Sequence, residues 1–533
     1  MPERSTIATT FNVGDWTIEP AANRMSHLDQ EVHLEPKVMR VLIYLVERQG
    51  EVVSRHDLET RIWSGVIVTD DAVTNAVIKL RKALGDNARN PRYIETIAKT
   101  GYRLIAETSA VETVTGKQQP GSGGRLERLW RKTLISALGL LLGGSVLWWA
   151  TAPEETQIPI ADRVVDNAPV IAVMPLENLS ADPEQEYFAN GITEDLITDL
   201  SKLAGLRVVA RNSSFAYKDS GETAAEIGSQ LHARYLLMGS VRKDGKQLRI
   251  NIRLTDTKDG SNRWAERYDR KATDIFRLQD EITNNVVSVL QVELSTKERQ
   301  RLLKNYATDF EAYDLFLQGL DHSGRGSGED SVLAKEYFGK AIAIAPKFAR
   351  AYASLALTHT RDVFRDRGNS SDASLAMAES LVSKARQLDN SLPQVHFVSA
   401  EIAMYRGNYA AALDHVSRAI EFKPSYADGY GLLAWILHWA GRPADGLQAI
   451  DKAFELNPRV PGIYYLVKGA LRYELDEIAE ATQLLETAVE MNPNNHVVRF
   501  FLAAVYAAGE NIDEARWQVD EILVLNPDFT LAH

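Results

Sequence analysis

The chain has 533 residues, more than one hydrophobic core organises, and its ordinary share of apolar residues excludes a largely disordered protein. With 60 basic and 72 acidic side chains the net charge is -12, which excludes a basic nucleic-acid coat and confines any contact with nucleic acid to a local patch. Cysteine is absent, so disulfides, thiolate metal sites and cysteine nucleophiles are excluded.

The N-terminal stretch MPERSTIATTFNVGDW lacks the short apolar core of a signal peptide, so the first domain is expected in the cytoplasm. Alternating residues from Phe11 onward predict short antiparallel strands, broken near Ala22-Asn23 and Asp29-Gln30. A first helix is expected from Pro36 to a stop at Gly50, with Val38, Leu42, Leu45 and Val46 on one face. Ser54 opens a second helix, and Asp57 three residues on completes a capping pair. The third helix, about Asp70 to Leu84, aligns Val73, Val77, Leu80 and Leu84 as a buried stripe. Its other face carries Thr74, Asn75, Ile78, Lys79 and Lys82, with Arg81 on the flank. That surface is short, cationic and rich in hydrogen-bonding groups, which suits the major groove of DNA. Two strands, RYIETI and YRLIAE, follow around a turn at Ala98–Gly101 tipped by Lys99.

Over 11–107, the segments LEPKVMRVLIYLVERQGEVVSRHDLETRIW, VTDDAVTNAVIKLRKALGD and YIETIAKTGYRL resemble the OmpR/PhoB-type winged helix-turn-helix, an α+β fold placed here at 8–108. The resemblance implies a third helix in the major groove of promoter DNA and a wing against the neighbouring backbone. Carried over, Thr74, Asn75, Ile78, Lys79, Arg81 and Lys82 face DNA, with Lys99, Thr100 and Arg103 on the wing side. RNA polymerase follows as a partner. Asp70 and Asp71 depart from the family by placing acids at the start of the helix, where they favour its dipole but repel phosphate. Modest affinity per copy, and use of dimers or tandem sites, is therefore expected.

A polar, Gly- and Ser-rich stretch reads as a flexible linker, 109–132. Thr133 to Ala152, TLISALGLLLGGSVLWWATA, carries no charge, and about 20 apolar residues suffice to span a bilayer core of about 30 Å. Arg125, Arg128, Arg131 and Lys132 before it and Glu154 and Glu155 after it predict a single-pass inner-membrane helix with the N-terminus in the cytoplasm and the C-terminus in the periplasm. Gly139 and Gly143 have the spacing of a close helix pair, so a homodimer is one reading and background glycine the other. A DNA-binding head joined to a membrane helix resembles the ToxR/CadC-like membrane-bound transcription regulators.

Residues 168–296 alternate strands and helices, with Asp-Gly turns at 244–245 and 259–260. With AVMPLENLS they resemble the TolB-like N-terminal-type α/β domain, which implies binding rather than catalysis. Asp182, Glu184, Glu186, Glu194, Asp195 and Asp199 read as a solvated loop and helix face, and His232 as structural.

Over 305–533, prolines recur at 424, 458, 493 and 527, and glycines at 407, 441 and 509 with Leu475 between. A period near 34 residues is the tetratricopeptide signature, five or so repeats forming an all-α superhelix that takes a protein or peptide partner. Trp435, Trp439, Tyr464, Tyr465 and Phe501 line its groove or its core. Gly324–Gly328 lacks the Lys-Ser/Thr of a phosphate loop and reads as a loop. No catalytic residue, cofactor or metal is expected. The leading reading is a membrane-anchored transcription regulator that senses a signal through a periplasmic repeat region; the alternative is an envelope scaffold acting through its repeats.

Overall fold

The computed structural model describes residues 10–20, 23–27, 30–34, 36–62, 71–86, 91–97, 101–110, 168–302, 308–365 and 371–526. The chain divides into two compact units, Met1–Thr156 and Gln157–His533.

In the first unit, β1 (Phe11–Val13), β2 (Trp16–Glu19), β3 (Arg24–His27) and β4 (Gln30–His33) form an antiparallel sheet. The late strand β8 (Thr108–Ala110) closes its other edge against β1. Helix α1 (Pro36–Val46) begins on its proline. At α2 (Arg55–Ile62), Ser54 and Asp57 cap each other: the Asp57 N–H donates to Ser54 Oγ at 3.0 Å and the Ser54 hydroxyl donates to Asp57 Oδ2 at 2.6 Å. Helix α3 (Asp71–Leu84) buries Val73, Val77, Leu80 and Leu84 in the core with Leu42 and Leu45 of α1. Four such side chains contribute on the order of 6–12 kcal/mol of burial before chain entropy is charged against them. A second sheet holds β5 (Val53–Ser54), β6 (Ile94–Ile97) and β7 (Gly101–Leu104), with β7 central. Gly101 is required there because a Cβ would lie 1.9 Å from the Val53 carbonyl oxygen.

The second unit opens with an α/β module. β9 (Val170–Val173) lies between β11 (Arg207–Val208) and β12 (Tyr235–Asp244), parallel to both, and β10 (Glu177–Asn178) adds to β12. β12, β13 (Gln247–Asp256) and β14 (Asn262–Lys271) form an antiparallel meander. Helices α4 (Glu186–Leu200), α5 (Arg211–Phe215), α6 (Ala224–Gln230), α7 (Ile275–Val289) and α8 (Thr296–Leu302) complete the module.

Six antiparallel helix pairs follow among the described residues: α9 (Phe310–Arg325) with α10 (Gly328–Ile344), α11 (Ala349–Arg365) with α12 (Ser371–Leu388), α13 (Pro393–Tyr405) with α14 (Tyr409–Phe422), α15 (Ala427–Trp439) with α16 (Pro443–Leu456), α17 (Gly462–Glu474) with α18 (Ile478–Met491), and α19 (His496–Ala508) with α20 (Ile512–Leu525). The expected period holds, but the seat of the turn within each pair is shifted. Left-handed residues stand at Gly407, Gly441, Asp476 and Glu510, not at Leu475 and Gly509. The last two repeats therefore carry a strained non-glycine residue where the earlier two have glycine. Within the Gly324–Gly328 stretch the turn between α9 and α10 is Gly326-Ser327, with Gly326 left-handed and Ser327 capping α10.

One core runs from Leu196 and Leu200 of α4 into Phe316 of α9, Phe338 of α10 and Phe348, joining the α/β module to the repeats. A second junction covers the edge of the sheet. Strand β11 is two residues long, and its free side is capped by turns between repeats. Ser425 Oγ accepts from Val208 N at 3.2 Å and donates to the Leu206 carbonyl at 3.2 Å. Ala210 N donates to the Leu456 carbonyl at 2.8 Å, and Ser213 Oγ donates to Asn457 Oδ1 at 2.6 Å. An edge strand managed in this way has no free ladder to offer another chain.

The membrane expectation is corrected. Among the described residues no helix is long and apolar enough to cross a membrane, so the fold class loses its single transmembrane helix, and the inner-membrane, single-pass localisation built on it falls too. Residues 133–152, whose apolar run motivated that expectation, lie outside the described residues, as do the rest of the linker and its flanking charges.

Candidate nucleic-acid interface

The buried stripe of α3 turns its opposite face outward. Lys82 is exposed there and Lys79 half-buried. Thr74, Asn75 and Ile78 stand on the same helix, but their side chains lie outside the described residues, as do Lys99 and Thr100 at the wing tip.

Arg81 is elsewhere. It follows Val77 by four residues, which brings it to the margin of the buried stripe, and it is buried. Its Nη2 donates to the Ile94 carbonyl at 2.8 Å and to Thr96 Oγ1 at 2.8 Å, both on β6. Its Nε stands 4.0 Å from Asp86 Oδ2. Asp86, whose side chain is shielded from solvent, accepts from the backbone N–H groups of Arg92 at 2.7 Å, Tyr93 at 3.3 Å and Ile94 at 2.9 Å. The guanidinium expected on the DNA side is thus spent on joining the end of α3 to the wing. Arg103 is likewise engaged: across the β6–β7 register it donates to Glu95 Oε2 from Nε at 3.0 Å and from Nη2 at 2.5 Å.

Asp86 was missed from sequence. The available signal was its place just past the C-terminal end of α3, where the helix dipole disfavours an anion, so other groups must hold it. Among the carboxylates read as solvated, Asp195 is also buried. It forms an ion pair with Arg350 of α11 and accepts from Tyr313 Oη at 2.7 Å and Gln279 Nε2 at 3.0 Å.

The repeats carry a polar row on the first helices of their pairs. Thr360 Oγ1 donates to Glu401 at 2.6 Å, and Tyr464 Oη donates to Asp428 at 2.8 Å. Burial pushes the Glu401 carboxyl up to about 7, against the hydrogen bond from Thr360. Burial lowers Lys423, whose ammonium lies 4.5 Å over the Tyr426 ring. Because the folded Glu401 holds its proton longer than an ordinary glutamate near 4.5, its contribution to stability is complete below that value and declines as pH rises toward about 7. Thermal unfolding of Glu401→Gln between pH 4.5 and 7.5 should lack that part of the decline; identical pH slopes for the two proteins would refute this. Of the aromatics, Trp435, Tyr464 and Phe501 are core, Tyr465 packs against it, and Trp439 is exposed.

Three families match the chain: "Transcriptional regulatory protein, C terminal" over residues 29–104, "HilA/YgeH-like transcriptional regulator, second domain" over 167–303, and "Tetratricopeptide repeat" over 473–533. The α/β segment thus finds its match in a regulator domain, and the TolB-like resemblance gains no support. A protein of Rhizobium meliloti (strain 1021) that carries the name of an adenylate cyclase is 41% identical over 232 residues, which cover 44% of this chain and 40% of that protein. The transcriptional activator CadC of Escherichia coli (strain K12) is 23% identical over 499 residues, 86% of this chain and 95% of that protein. The cholera toxin transcriptional activator of Vibrio cholerae serotype O1 is 36% identical over 116 residues, 20% of this chain and 39% of that protein.

Proposed function

We propose, for a chain that is a transcriptional regulator of the ToxR/CadC/HilA-like type with an OmpR-type winged helix and a tetratricopeptide region, that α3 reads promoter DNA through Thr74, Asn75, Ile78, Lys79 and Lys82. Lys99 and Thr100 of the wing touch the flanking backbone. Arg81 acts from behind, by fixing the angle between α3 and the wing, and Arg103 stiffens the wing through Glu95. The observation that carries this reading is the pairing of a buried apolar stripe with a lysine-bearing outer face on one helix, locked to the wing by Arg81 and Asp86. The repeats take a protein or peptide partner, and RNA polymerase is the partner on DNA. Because a single head has modest affinity, two heads on adjacent half-sites gain by effective concentration.

The test is binding of the protein to duplexes from its own upstream DNA over a range of salt. Lys79→Ala should lower specific affinity by ~1–3 kcal/mol through a lost base contact, and Lys82→Ala should mainly reduce the salt slope by about 1. No preference for any duplex sequence, or two substitutions without effect, would remove the assignment.

A further inference from the structure

The outer face of the antiparallel meander carries a ring of arginines. Alternation along β13 sends Leu248, Ile250, Ile252 and Leu254 into the core, so Arg249, Asn251 and Arg253 face outward. The register sets Asn251 beside Ser240 of β12 and Arg267 of β14, and Arg249 directly opposite Arg242. Asn251 and Ser240 make a short polar floor, joined by a hydrogen bond from Asn251 Nδ2 to Ser240 Oγ at 3.1 Å. Arg242, Arg249, Arg253 and Arg267 stand around that floor, all four exposed. Alternate residues on a strand are about 7 Å apart and neighbouring strands about 5 Å, so the four long side chains can converge above Asn251. Like charges directly opposite on neighbouring strands destabilise a sheet, yet Arg242 and Arg249 are so placed. The acids of the rim are Asp269, which holds Arg249 at 2.6 Å and Arg267 at 3.2 Å, and Glu177 of β10, beside Ser240. Arg242 and Arg253 have no carboxylate partner among the described residues. Four cations against two acids leave two positive charges in surplus, in a chain whose net charge is -12.

We propose that this ring is a binding site for a soluble diphosphate group. Guanidinium forks match phosphate oxygens in pairs, and the surplus charge calls for an anion of at least two charges. Four forks offer more donors than the oxygens of one phosphate accept, so two adjacent phosphates fill the ring better than one. The floor adds the Ser240 hydroxyl and the Asn251 amide as neutral donors. Neither floor nor ring holds an aromatic side chain on which a base could stack, so recognition stops at the phosphates. A protein partner would call for aromatic or apolar anchors at the centre, where Ser240 and Asn251 stand instead. The bound anion removes the repulsion between Arg242 and Arg249, so the ligand stabilises the sheet that holds it. The site goes beyond the regulator reading and uses none of the DNA contacts, so either can fail while the other stands.

Calorimetric titration of the full chain with inorganic diphosphate should show a saturable site that weakens as salt rises. Diphosphate should also raise the melting temperature, as a ligand of the folded state does. Arg242→Ala and Arg253→Ala should each weaken binding at least about 10-fold, with an unchanged circular dichroism spectrum. Asn251→Asp keeps the shape of the floor but sets a carboxylate beneath the ring. It should abolish binding while melting no lower than the wild type, because the carboxylate takes the place of the anion. Orthophosphate should bind at least about 10-fold more weakly than diphosphate. Absence of a saturable site at millimolar diphosphate overturns the proposal, as does binding that survives Asn251→Asp. A melting shift that chloride reproduces at equal ionic strength means screening alone and overturns it too. So does capture by phosphatidylglycerol vesicles, lost in Arg253→Ala, from a chain that ignores soluble diphosphate, since the source of phosphate would then be a lipid surface.

Discussion

Asp86→Ala is expected to cost the winged-helix unit about 3–5 kcal/mol, a large part of the 5–15 kcal/mol by which a domain of this size is stable. Three backbone N–H groups lose their acceptor at once, and Arg81 is left as a buried cation beside a carbonyl and a hydroxyl. Orphaned donors each cost about 1–3 kcal/mol, and a buried unpaired charge costs more. At about 4–8 °C per kcal/mol for a small domain, the melting temperature of residues 1–110 should fall by more than about 12 °C. Asp86→Asn, which keeps one acceptor oxygen, should fall between. Sequence-specific DNA binding should disappear with the fold, whereas Lys82→Ala should reduce binding at unchanged stability. A melting shift of less than about 4 °C for Asp86→Ala would mean that the carboxylate does not hold α3 to the wing.

In the second unit, Asp195→Ala should cost about 3–5 kcal/mol in denaturant unfolding. The carboxylate gathers Arg350, Tyr313 and Gln279 from three helices. Its removal strands the Arg350 guanidinium over the Phe316 ring, 4.9 Å from the centroid, without its hydrogen-bonded anion. Burial already raises the Tyr313 hydroxyl well above its ordinary value, so that group offers no compensating charge. The double change Asp195→Ala, Arg350→Met should recover most of the loss, because an apolar pair of similar volume dispenses with the desolvation of both ions. A single substitution costing under about 1 kcal/mol, or a double variant no better than the single, would contradict a structural role for the pair.

Patterns set by local periodicity could be read in advance. The α3 stripe, the Ser54–Asp57 cap and the recurrence of helix pairs each follow from spacing within a few turns, and the structure contains them. What depended on distant partners could not. Asp195 looks solvated on a helical wheel because its neighbours Arg350 and Tyr313 lie more than 100 residues downstream. Arg81 sits on the flank of α3, and only the return of β6 decides which way its guanidinium turns. Asp476 and Glu510 occupy left-handed seats that a glycine would have marked, and Gly509 stands one residue before the second of them. The apolar run at 133–152 satisfied a length rule by itself and lies outside the described residues, among which no helix is long and apolar enough to cross a membrane.

The cap on β11 also has a consequence in time. Val208 waits for Ser425, 217 residues later, and Ser213 for Asn457, 244 residues later. At about 5–20 residues per second, the ribosome needs roughly 10–50 s to deliver those partners. Through that interval the nascent sheet shows an open strand edge, of the kind that pairs with a neighbouring chain. Polysome crowding and slow codons between 210 and 457 should therefore govern how much of the newly made protein reaches the native state.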